Sequence, residues 1–152
     1  MKLLLILLFV VPCYSQATTS YDKFKDQTTV SAESVHIGGR LHLEVKAIQR
    51  KPDATQYYLV FRQVSRSWVF LKSHGLIFLA DADRIDLGDG QHEGKTNGHY
   101  GGVTEIMIYP IQREDLETLV KSPSLEMKLG PVEAKLDEKG KKGMKDVLEY
   151  KW

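Results

Sequence analysis

Cysteine occurs once in the 152 residues, as Cys13. One thiol excludes an internal disulfide and the cysteine clusters of zinc and iron–sulfur sites. A domain exported without disulfides must draw its stability from its core. Charge of one sign is lacking as well. Lys and Arg number 21 against 20 Asp and Glu, a net charge of +1. So even a mixture supplies no electrostatic reason to bind nucleic acid or an anionic membrane. Past the first residues no long apolar run occurs, so no transmembrane helix is expected after signal cleavage; a spanning helix needs about 20 such residues. No internal repeat or low-complexity segment is present.

What is there begins with "MKLLLILLFVVPCYSQA". Lys2, an apolar run from Leu3 to Val11, and small residues at Ser15 and Ala17 are the three parts of a secretory signal. Cleavage after Ser15 removes Cys13 with it. The expected location is periplasmic or secreted. The alternative is a lipid anchor on Cys13, which Pro12 disfavours because such sites want a small residue before the cysteine. The organisation expected is a signal at 1–15, a polar leader at 16–26 pinned by Tyr21 and Phe24, and one domain at 27–152.

Within that domain "RLHLEVKAI" alternates Leu41, Leu43, Val45 and Ala47 with His42, Glu44 and Lys46. Period 2 of this kind predicts a half-buried strand. "KPDATQ" is a loop by its Pro and Asp, and "YYLVFRQV" is a second strand, so the two predict a hairpin. Tyr57 and Tyr58 must point to opposite faces, leaving one of them exposed. Trp68–Leu71, Leu76–Leu79 and Arg84–Leu87 are three short strand candidates. "VTEIMIYPI" is another, ended by Pro110. The period then changes. "QREDLETLVK" spaces Leu116, Leu119 and Val120 as a helix face, with acids first and Lys121 last, as the helix dipole prefers. "SLEMKLGPVEAKL" predicts a hairpin about Gly130-Pro131. Asp137 is placed to cap a last helix with Met144, Val147, Leu148 and Trp152 inward. The fold class expected is α+β: an antiparallel β-rich domain, a curled sheet or small sandwich, followed by a helix–β-hairpin–helix segment.

"YDKFKDQTTV", "SWVFLKSHGLIFLADADRIDLG", the following "HEG" and "LEMKLGPVEAKL" resemble stretches of small exported bacterial proteins of unknown function. The resemblance covers most of the mature chain. It implies an exported single domain and brings no catalytic residues.

The motifs that carry chemistry are weak. "GDGQHEG" has the glycines of a phosphate loop, but a strand follows it where a helix N-terminus is needed. Asp81, Asp83, Asp86 and Asp89 fall out of step with a calcium loop, and Asp also favours turns. No GxSxG occurs, and Ser73 and His74, as strand neighbours, face apart. The lysines of "KLDEKGKKGMK" are interrupted by acids, as on a solvated helix face.

That leaves "LGDGQHEGKTNGHYGG", from Leu87 to Gly102, with six glycines and two histidines. Read as a connection between strands, it exceeds the length usual in compact domains, and such loops are functional or disordered. The expectation is a non-catalytic binding or structural protein of the cell envelope, needing no cofactor. It would hold a protein or envelope component through the Gly88–Gly102 loop and its neighbouring strand edge, with His92, Glu93, His99 and Tyr100 as the binding residues. The alternative is a small metal-dependent hydrolase using His74, His92 and His99.

Overall fold

The computed structural model describes residues 17–51, 53–98 and 101–152. The expected signal and Cys13 lie outside them, as do His99 and Tyr100.

The alternation around Leu41 produces β4 (Leu41–Arg50), with Leu41, Leu43, Val45 and Ala47 buried. It pairs with β5 (Gln56–Ser65) in the expected antiparallel hairpin, Leu43 opposite Phe61. Tyr57 turns into the core and Tyr58 away from it. These strands centre a seven-stranded antiparallel sheet. Its order runs β1 (Thr18–Asp22), β2 (Gln27–Ser31), β4, β5, β9 (Val103–Ile111) and β8 (Gln91–Thr96), with β3 (Val35–Gly38) also on β4. A four-stranded antiparallel sheet runs β11 (Val132–Leu136), β10 (Leu125–Leu129), β6 (Gly75–Ala80) and β7 (Asp83–Asp89). Two helices complete an α+β architecture: α1 (Arg113–Lys121) before the β10–β11 hairpin and α2 (Glu138–Leu148) after it. None of the described helices is long and apolar enough to cross a membrane.

Both sheets and both helices feed one core. Leu59, Phe61, Met107 and Tyr109 come from the larger sheet, Leu76, Phe78, Leu125 and Leu129 from the smaller. Leu116 and Leu119 of α1 and Met144 and Val147 of α2 join them. Asp137 caps α2, its Oδ1 accepting from the Gly140 N–H at 2.9 Å. Gly143 brings the helix close to the larger sheet, where a Cβ would stand 3.2 Å from that of Ala32. This packing explains a glycine that propensity alone disfavours in a helix.

The structure corrects several expectations. The leader holds strand β1, paired along its length with β2. Tyr21 and Phe24 do not pin it, since both are exposed. Trp68–Leu71 is irregular, bent chain, yet Phe70 within it is fully buried. Trp152 is exposed and leaves the inner face of α2 to Met144 and Val147. Strand β9 runs past Pro110 to Ile111; its pairing with β8 ends at Ile108, so the proline sits where the strand is flanked on one side only.

The largest correction concerns residues 88–102. They do not form one long loop: Gln91–Thr96 is a strand hydrogen-bonded to β9. Two glycines of this stretch, Gly90 and Gly94, meet a demand for closeness. A Cβ on Gly90 would strike the Ile108 carbonyl and the Tyr109 ring, and one on Gly94 would strike Trp68. Glycine inside a strand marks such approaches.

Candidate functional site

Strand β9 sends Val103, Glu105, Met107, Tyr109 and Ile111 inward. Four of these are apolar or aromatic; the fifth is a carboxylate with no exposed surface. A buried charge survives only with hydrogen bonds, and Glu105 has three partners. Its Oε2 accepts from the Val69 N–H at 2.8 Å and its Oε1 from the Phe70 N–H at 3.0 Å. His92 Nε2 lies 3.2 Å from Oε1. Two backbone N–H groups of the irregular segment between β5 and β6 therefore depend on one side chain of β9.

That segment closes a small cluster. Trp68 lies over Gly94 and meets the His92 ring edge-on, with centroids 6.4 Å apart. His74 follows the segment, its Nδ1 3.2 Å from the Phe70 carbonyl. The His74 and His92 rings lie 5.1 Å apart, tilted by 34°. The Tyr109 hydroxyl donates to the His74 carbonyl. Burial, with a smaller contribution from the charge of Asp89, pushes that phenol well above its ordinary range.

Of the four expected binding residues, His92 and Glu93 are described, and they face opposite sides of β8. His92 points inward, its side chain 13% exposed. Glu93, next along β8, points outward, and its Oε1 accepts from Gln91 Nε2. His99 and Tyr100 lie outside the described residues. Of the expected metal set, His74 and His92 meet and His99 lies outside. Among the described residues no group of three or more His, Cys, Asp and Glu is arranged to hold a metal ion. Ser73 and His74 are not on a strand. The acids of "DADRIDLGD" include two with tasks in the fold. Asp81 accepts from the Ser124 N–H in a turn, and Asp86 accepts from Arg84 and from the Gly88 N–H.

Sequence reasoning missed Glu105 and the place of Trp68. The first was within reach. In "VTEIMIYPI" the parity that buries Met107 and Tyr109 also buries Glu105, and an acid on the apolar parity of a strand is a signal. The second depended on a contact across the chain.

The outward parity of the same strands makes a different surface. Tyr58, Val60, Ile106 and Ile108 share the outer face of the larger sheet and floor an open groove of about 640 Å³. Glu93 stands at its β8 side and His42 at its β4 side, in one row across the sheet with Arg62 and Ile106. Lys46 is paired with Glu44 at 3.2 Å. Arg62 is exposed, with no ion pair among the described residues. A second hollow, about 450 Å³, lies on the outer face of the smaller sheet over Ile77 and Leu79. Two of its charges are paired, Lys128 with Glu133 on its lining and Arg84 with Asp86 at its edge.

No family model, curated protein or solved structure matches the chain.

Proposed function

We propose that this is an exported, non-catalytic binding protein of the cell envelope, and that it takes its ligand on the outer face of the larger sheet. The supporting observation is the groove itself: four adjacent half-buried apolar or aromatic side chains that no described element covers, in a hollow of about 640 Å³. Ligand sites are commonly concave, mainly apolar and about 300–1,000 Å³ in volume, with a few polar groups fixing orientation. Arg62 is the exposed cation of the groove and has no ion pair among the described residues, so the ligand class is an elongated apolar molecule bearing an acidic group. The Leu87–Gly102 stretch contributes Glu93 and Gln91 to the rim. Both belong to strand β8, held in the sheet by β9.

The test titrates the isotope-labelled mature chain with dodecanoate. Saturable shifts should centre on the amides of Val60, Arg62, Ile106 and Ile108. Ile106→Lys should abolish them, and Arg62→Gln should weaken binding about tenfold, as expected for a lost charge-assisted hydrogen bond. Shifts that are absent, or that fall on the smaller sheet, overturn the reading.

A further inference from the structure

We propose that His74 and His92 form a two-histidine site for a divalent transition-metal ion. The site lies on the core side of β8, away from the groove, and stands independently of it.

The hydrogen bonds decide which nitrogens are available. Both oxygens of Glu105 already accept from backbone N–H groups. The His92 nitrogen facing that carboxylate, Nε2, therefore carries a proton, and Nδ1 keeps its lone pair. The Phe70 carbonyl can only accept, so His74 Nδ1 is protonated and Nε2 keeps its lone pair. Neither lone pair has a hydrogen-bond partner among the described residues. Neither ring is sealed in the core: the His92 side chain is 13% exposed and His74 is half-buried.

The spacing agrees. An imidazole nitrogen sits about 2.0–2.1 Å from zinc, and a tetrahedral angle between two such bonds separates the ring centroids by about 5.2 Å. The observed separation is 5.1 Å. The outer partners agree as well. Metal-binding histidines characteristically give their other N–H to a carboxylate or a backbone carbonyl, which fixes the ring and raises its basicity. His92 has Glu105 and His74 has the Phe70 carbonyl. The described residues supply no third ligand, so solvent completes the coordination. Two imidazoles are borderline ligands, and copper(II), which binds such ligands most tightly among the first-row divalent ions, serves as the probe.

The test uses Trp68, whose indole meets the His92 ring. In the mature chain carrying Trp152→Phe, Trp68 is the sole indole. Copper(II) should quench its emission saturably at one equivalent. His74→Ala and His92→Ala should each weaken binding tenfold or more, and Glu105→Gln by about 10–100-fold, as typical for an outer partner. If the variants of His92 or Glu105 lose their fold by circular dichroism, His74→Ala decides alone, because its ring bonds only to a loop carbonyl. His36 and His42 form the rival pair, 5.3 Å apart on the opposite side of the larger sheet. Quenching that does not saturate, survives His74→Ala, or disappears with His36→Ala or His42→Ala overturns the proposal.

Discussion

The indole of Trp68 occupies the space in which a Cβ on Gly94 would stand. The glycine is therefore a seat for the ring. Gly94→Ala should push Trp68 outward and destabilise the protein by about 1–3 kcal/mol, the usual range for overpacking. A red shift of Trp68 emission together with a lower thermal midpoint would show it. An unchanged spectrum would mean the ring does not rest there.

Glu105 holds two backbone N–H groups of the Trp68 segment. Glu105→Ala leaves both unpaired, and unsatisfied buried donors cost about 1–3 kcal/mol each. Urea unfolding should show a loss of about 2–5 kcal/mol. Glu105→Gln keeps one acceptor oxygen and should lose less. A loss under 1 kcal/mol for the alanine variant would show that the segment is held by other contacts.

The buried Tyr109 phenol has a raised pKa, from burial first and Asp89 second. A tyrosine in the unfolded chain ionises near pH 10. Below that pH both states keep the proton and its contribution to stability is complete. Above about pH 10 the unfolded state loses its proton first and stability falls as pH rises. The urea midpoint should drop more steeply above pH 10 in the natural chain than in Tyr109→Phe. At pH 7 the phenylalanine variant should lose about 1 kcal/mol from the bond to the His74 carbonyl.

Lys141 joins the two helices. It is buried, and its Nζ donates to the carbonyl of Ser122, the C-cap of α1, at 2.9 Å. A cation there also suits the helix dipole. Lys141→Ala should cost about 1–3 kcal/mol by calorimetry, from the lost charged hydrogen bond. Lys141→Met keeps the packing of the stem and should cost less. Equal losses would place the whole effect in the charge.

Much of this fold was legible because local rules and burial agree in it. Strands β4 and β5, helix α1, the β10–β11 hairpin and the Asp137 cap all follow from period, turn residues and caps. The failures occur where a distant contact overrides a local rule. Gly90 and Gly94 suggested a turn in the sequence, but they leave room for Tyr109 and Trp68. Phe70 suggested a strand, but it is buried from an irregular segment whose N–H groups Glu105 satisfies. The candidate site was legible in part. His74 and His92 were singled out, whereas the carboxylate joining them to the fold is 13 residues beyond His92 on the neighbouring strand.

Strand β9 is apolar on both faces, Ile106 and Ile108 outward and Met107 and Tyr109 inward. A slip of one residue would exchange these sets at little hydrophobic cost, so greasiness alone cannot choose between alignments. Glu105 can. Only in the native alignment does its carboxylate meet the N–H groups of Val69 and Phe70 and the ring of His92. One buried acid thereby acts as a keyed peg, making the misaligned sheet a worse structure and not merely a different one.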